Sequence, residues 1–172
     1  GYPLRVSVNL SPRQFADPDL LSSIDRIVHK TGCNPQLIEL EITESVLLGH
    51  DEGTVNMLHA LCDKGFRLAI DDFGTGYSNL GYLQRYPINC LKIDRSFIQA
   101  LGSTTPIADL IITMCRMLQM DMVAEGVETE AQLAWLRDRQ CNEYQGYLFS
   151  KPVPITEFDA LLIAQTQRSP GR

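Results

Sequence analysis

The stretch Phe66-Arg67-Leu68-Ala69-Ile70-Asp71-Asp72-Phe73-Gly74-Thr75-Gly76 decides the fold. An apolar run of strand length ends in two adjacent carboxylates and then two glycines. A parallel strand buried on both faces ends in this way when it delivers polar groups to a loop at its C-terminal end. The segment before it, Asp51 to Lys64, has helical periodicity and stops at Gly65, the residue type that most easily takes the left-handed conformation closing a helix. Similar strand patterns occur at Arg5 to Leu10, Leu37 to Thr43, Cys90 to Asp94, Met122 to Glu125 and Glu143 to Leu148. Further helices are expected over Pro18 to Thr31 with Asp17 near its cap, Tyr77 to Arg85 before Pro87, and Pro106 to Gln119. Two more follow, Thr129 to Gln140, with a capping threonine followed by Glu130, and Thr156 to Ile163.

Strands alternating with helices, without a GxGxxG phosphate loop, point to an α/β barrel of parallel strands, the (β/α)₈ TIM type. Such a barrel takes about 250 residues and eight strands. This chain has 172 residues and offers about six βα units, so an incomplete barrel is expected, with roughly its first quarter N-terminal to residue 1. Residues 1–172 are expected to form a single domain of this type, with 44% apolar residues to fill one core.

Composition excludes several classes. No apolar run approaches the roughly 20 residues of a membrane helix, and the start Gly1-Tyr2-Pro3-Leu4-Arg5 has neither part of a secretory signal. The five cysteines are odd in number and widely spaced, as reduced core thiols in the cytoplasm would be. A net charge of −6 spread along the chain gives no long-range attraction to DNA or an anionic membrane. An anionic substrate would need bound cations.

In a (β/α)₈ barrel the chemistry sits at the C-terminal strand ends. The polar residues there are Asn9, Glu41 with Glu44, Asp71 with Asp72, Lys92 with Asp94, Glu125 with Glu128, and Gln145. Carboxylates converging on one mouth repel each other unless cations sit among them, and an all-oxygen set suits hard ions such as Mg²⁺ or Mn²⁺. The pair Asp71-Asp72 could serve two ions, one aspartate bridging and its neighbour ligating one, as in hydrolases of phosphodiesters. Asn9 and Asp94, taken singly, could equally be turn or cap residues. Glu41 lies inside an apolar strand, where an unpaired carboxylate is costly. Lys92 poses the same problem with opposite sign and is expected to pair with a nearby carboxylate.

These residues stand in six motifs that resemble, in order, those of the EAL family of cyclic di-GMP phosphodiesterases. The motifs are Val8-Asn9-Leu10-Ser11 with Arg13-Gln14-Phe15, Glu39 to Ser45, Asp71 to Ser78, Leu91-Lys92-Ile93-Asp94, Ala124 to Thr129, and Gln145 to Phe149. The resemblance implies hydrolysis of cyclic di-GMP to linear pGpG with two Mg²⁺ or Mn²⁺ ions, in bacterial second-messenger signalling of the kind that controls biofilms. By position, Asn9, Glu41, Asp71 and Asp72 would bind metal, and Glu125 would bind metal directly or through water, or act as base. Lys92 would orient and activate the attacking water, and Gln145 would hold that water or a metal-bound one. Arg13, Asp94 and Glu128 would contact substrate or support those that do. Glu44 would anchor the loop from Asp72 to Ser78 and couple it to dimerisation.

The family's Glu-x-Leu segment, with one metal-ligating glutamate, does not occur here, so these residues alone are expected to hydrolyse cyclic di-GMP poorly. Asn79 and Gly81 stand where serines are common, and Gly102 to Ile107 is a few residues short. The resemblance also implies a homodimer, sensor or GGDEF domains elsewhere in the parent chain, and a cytoplasmic site, with any tether to the inner membrane outside this segment. A domain that binds cyclic di-GMP or a partner without turnover is the alternative, although every ligand position present here carries the expected residue. Asp72-Phe73-Gly74 is not a kinase motif, because no HRD loop precedes it.

Overall fold

The computed structural model describes residues 4–47, 52–74, 83–101 and 105–168. Six strands are present among them, β1 Val6–Asn9, β2 Ile38–Thr43, β3 Arg67–Phe73, β4 Cys90–Ile93, β5 Asp121–Ala124 and β6 Glu143–Tyr144. They form one sheet in chain order, each parallel to its neighbours. The helices are α1 Pro12–Phe15, α2 Leu20–Thr31, α3 Glu44–Leu47, α4 Glu52–Asp63, α5 Arg95–Gln99, α6 Thr105–Met117, α7 Glu130–Asp138 and α8 Ile155–Arg168. Strand and helix succeed each other as in a TIM-type barrel, and the six strands make an incomplete one.

The strands owe their position to alternation, interrupted once in β3. Ile42, Leu68, Ile70, Leu91 and Ile93 are fully enclosed and join Leu58, Leu61, Ile98, Ile112 and Leu136 in one apolar core on the helix side. Most of the intervening residues are polar and lie on the other face, Ser7 and Asn9, Glu39 and Glu41, Arg67, Lys92, Asp121 and Glu143, with Ala69, Cys90 and Val123 among them. Strands β2 and β4 are buried on both faces, but one face is ionic and closes through salt bridges. Edge strand β1 is exposed, with Val6 at 55% and Val8 at 44%.

Several boundaries also differ from expectation. Helix α2 begins at Leu20, because Asp17 turns its carboxylate onto the Asp19 amide instead of capping the helix. Thr129 does cap α7, but its reciprocal partner is Gln132 rather than Glu130. Strand β6 is only two residues long, and α8 extends from Ile155 to Arg168. Unforeseen are α1, closed by a capping box between Ser11 and Gln14, and α5, capped by Asp94. The cysteines are free, yet only Cys90 and Cys115 are fully buried; burial pushes both thiols up to about 12. The expected helix Tyr77 to Arg85 and the positions Asn79 and Gly81 lie wholly or mainly outside the described residues, as do residues 102–104. No helix among the described residues is long and apolar enough to cross a membrane.

Candidate active site

The C-terminal ends of β2 to β5 bring three carboxylates onto one cation. Lys92 Nζ lies 2.9 Å from Glu41 Oε1, 2.9 Å from Asp71 Oδ1 and 2.7 Å from Glu125 Oε1. Glu41 and Lys92 are buried, with 6% exposure each. Burial alone would lower the lysine pKa; hydrogen bonds to Glu125, Asp71 and Glu41 reverse this and raise it above the ordinary value. The three carboxylates thus favour the charged form of Lys92. Gln145 extends the group by donating from Nε2 to Glu125 Oε1 at 2.7 Å.

The aspartate pair is placed by an irregularity in the ladder. Ala69 pairs with Cys90, Ile70 with Leu91 and Phe73 with Ile93, so Asp71 and Asp72 both stand opposite the single Lys92. This is the count of a β-bulge. With strict alternation Phe73 would point into the polar interior; the extra residue returns its ring to the apolar core at 3% exposure. Asp72 absorbs the distortion with φ +54°, a conformation that aspartate tolerates better than most residues.

Ligand oxygens of Asp71, Asp72 and Glu125 fall within 4.8 Å of one another. Desolvation and the neighbouring carboxylates Asp71 and Asp94 push Asp72 up, against the pull of Lys92 and Arg95. Burial likewise raises Glu125, with Lys92 opposing and Asp71 and Glu41 reinforcing. Raised carboxylates beside a saturated lysine mean that negative charge is in excess. Divalent cations fit such an all-oxygen set, with Asp71, Asp72 and Glu125 nearest one another.

The remaining expected residues separate by location. Asn9 is exposed at the end of β1 and paired in register with Glu41. Glu128 lines a cavity next to Glu125 and Gln145. Asp94 is raised by burial but held below the ordinary carboxylate range overall, because Oδ1 accepts from the amide and hydroxyl of Ser96. Much of its bonding capacity is spent on the cap of α5. Arg13 is exposed on α1. Both carboxylate oxygens of Glu44 are buried without a hydrogen-bond partner among the described residues; residues 75–78 of the loop it was expected to anchor lie outside them.

Sequence reasoning passed over Gly126, Gly146 and Gln132, which shape the mouth. A Cβ on Gly126, at φ +66°, would stand 2.6 Å from Arg95 Cβ, and one on Gly146 would stand 2.2 Å from the Val127 carbonyl oxygen. Only glycine allows these approaches. Gln132 accepts from the Glu128 and Thr129 amides and donates to the Ile98 carbonyl, tying the loop after β5 to α5. The glycines following Glu125 and Gln145 were the visible signal.

Fold and mouth together define a TIM-type α/β protein with an acidic, metal-binding type of centre at its strand ends. The chain belongs to the EAL domain family, whose pattern matches residues 1–152. It is 42% identical over 164 residues to the cyclic di-GMP phosphodiesterase NbdA of Pseudomonas aeruginosa, covering 94% of this chain and 21% of that protein. Thus the chain spans about a fifth of that relative's length. The PaMucR phosphodiesterase in its c-di-GMP complex superposes with a TM-score of 0.85 at 39% identity, over 90% of this chain and 64% of the other. The manganese/cy-diGMP complex of BlrP1 from Klebsiella pneumoniae gives 0.78 at 31% identity, over 88% and 40%.

Proposed function

We infer that this chain is part of a phosphodiesterase domain that hydrolyses cyclic di-GMP to linear pGpG, within a longer protein that supplies the rest of the barrel. The observation that carries this is the excess of carboxylates over cations at the mouth, where one lysine serves Glu41, Asp71 and Glu125 and Asp72 stands beside them. Similarity to relatives named for this activity and to structures solved with this nucleotide supports it.

Two Mg²⁺ or Mn²⁺ ions would be held by Asn9, Glu41, Asp71, Asp72 and Glu125. When bound, they supply charge neutralisation at the phosphodiester and a more acidic water. The chain's own groups do the rest. Lys92 keeps Glu41, Asp71 and Glu125 converged against their mutual repulsion and presents a permanent ammonium to the negative charge that grows on phosphorus oxygens. Gln145, tied to Glu125, would orient the attacking water through its remaining amide atoms. Glu125, with its pKa raised by burial, is suited to accept that water's proton. Glu128 and Arg13 would contact the nucleotide. Asp94 would support the site through α5, and Glu44 would steady the loop after β3.

The parent protein would act in the cytoplasm as a homodimer joined to GGDEF or sensor domains. The test is turnover of cyclic di-GMP by the full-length protein with Mg²⁺ or Mn²⁺, with and without chelator. Metal-dependent release of pGpG, abolished by Asp71→Asn, is the expected result; tight binding without product would replace the enzyme with a nucleotide receptor.

A further inference from the structure

We propose that Gln132 is a positioning residue for the reaction: its side-chain amide braces the loop after β5, which carries Glu125 and Glu128, against the C-terminal turn of α5, and so holds Glu125 where it meets Lys92 and Gln145. The inference rests on the phosphodiesterase function above and adds the side chain that fixes where the proton acceptor stands. Each atom of the amide is used. Oε1 accepts from the Glu128 and Thr129 amides at 2.8 and 3.0 Å, and Nε2 donates to the Ile98 carbonyl at 3.2 Å. The bond to Thr129 belongs to the capping box of α7, in which Thr129 Oγ1 accepts from the Gln132 amide at 3.2 Å. Glutamate serves such a box as well as glutamine does. The bond to Ile98 is the one an ionised carboxylate cannot make, because it has no donor. Ile98 O also accepts from backbone amides that close α5; Gln132 reaches it from another element.

The brace matters because the chain bends directly after Glu125. Gly126 sits there at φ +66° and, with no side chain, does not fix its own conformation. The bend is held instead from both sides. Toward β6, the Val127 amide donates to the Gln145 carbonyl at 3.1 Å, and the Val127 carbonyl accepts from the Leu148 amide at 3.0 Å. Toward α5, the Arg95 stem lies so close to Gly126 that a Cβ there would stand 2.6 Å from it, and Gln132 adds the polar tie to Ile98. Val127 and Ile98 are both fully buried, so the loop is anchored to parts of the core that do not shift freely. Glu125 Oε1, at the start of the loop, lies 2.7 Å from both Lys92 Nζ and Gln145 Nε2. A reacting group displaced by about 1 Å loses on the order of a hundredfold in rate.

The test compares thermal melts, kcat and KM for cyclic di-GMP with Mn²⁺, in the full-length protein as wild type, Gln132→Glu, Gln132→Ala and Thr129→Ala. Gln132→Glu keeps the acceptor of the capping box and loses the donor to Ile98. Its Tm should stay within about 3 °C of wild type, while kcat falls roughly tenfold to a hundredfold and KM changes less than about threefold. Gln132→Ala adds no charge and should lose kcat to the same extent, together with some stability. Thr129→Ala removes the cap but leaves the brace, and should lower Tm while keeping kcat. A kcat that follows Tm across the three variants would reduce Gln132 to a helix cap and overturn the proposal. So would full kcat in Gln132→Glu, or a loss there that Gln132→Ala does not share, which is the mark of the added charge alone. If wild type turns over no cyclic di-GMP, the phosphodiesterase function itself fails. Crystal structures of wild type and Gln132→Glu then decide: Glu125 drawn away from Lys92 and Gln145 in the variant upholds the brace, and unchanged contacts overturn it.

Discussion

Two ionic clusters occupy the polar face of this sheet, one near the N-terminal strand ends and one at the mouth, and they differ in balance. In the lower cluster Arg67 bridges Glu39 and Asp121, at 3.5 and 2.6 Å, and Arg5 approaches Glu143 at 3.9 Å. Two cations there face three carboxylates. At the mouth one cation, Lys92, faces Glu41, Asp71 and Glu125, with Asp72 adjacent. The same device, polar residues on alternate strand positions, thus gives a nearly neutralised cluster at one end and an over-acidic one at the other. The first can be structural by itself; the second has carboxylates to spare for added cations.

The largest expected effect comes from Lys92→Met. It leaves three converged carboxylates without their cation and should cost about 3–5 kcal/mol in denaturant unfolding, with turnover lost. Arg67→Met, in contrast, should cost about 1–3 kcal/mol, because Asp121 is half exposed and only Glu39 is left buried. The folded fraction should keep its kcat. A loss of kcat as severe as that of Lys92→Met would erase the distinction between the clusters.

Smaller effects sharpen the role of the mouth's scaffold. Gly126→Ala forces a side chain into the left-handed region and against Arg95, and should lower stability by about 1–2 kcal/mol. Asp94→Ala removes the cap of α5 and should cost about 1 kcal/mol at neutral pH. The folded pKa of Asp94 lies below its unfolded value, so the stabilisation is complete above the unfolded pKa and is lost as pH falls through the folded one. Asp94→Asn should keep the cap and remove that acid dependence, read from thermal melts across the acid range.

Much of this was legible in the sequence for a physical reason. Glu41 and Lys92 sit inside Leu40-Glu41-Ile42 and Leu91-Lys92-Ile93, where burial demands a partner, and they are partners of each other. The lower cluster was missed although Glu39 lies two positions before Glu41 and Arg67 opens its strand; alternation that places one of them inside places the others there too. The bulge at Asp71-Asp72 was hidden because register depends on the facing strand, not on β3 alone. Strand β6 was overestimated because Gly146 turns the chain onto Val127, a contact made with a distant segment. Helix α5 is too short for periodicity to reveal, whereas the capping box of α1 stood in plain view as Ser11-Pro12-Arg13-Gln14.

The most direct test of the central claim is a calorimetric titration of Mn²⁺ into the full-length protein, comparing wild type with Asp71→Asn at the mouth and Glu39→Gln in the lower cluster. The imbalance of charge predicts that Asp71→Asn weakens binding at least tenfold while Glu39→Gln leaves it unchanged. Equal binding by all three, or equal loss in both variants, would contradict the assignment of the cation site to the mouth.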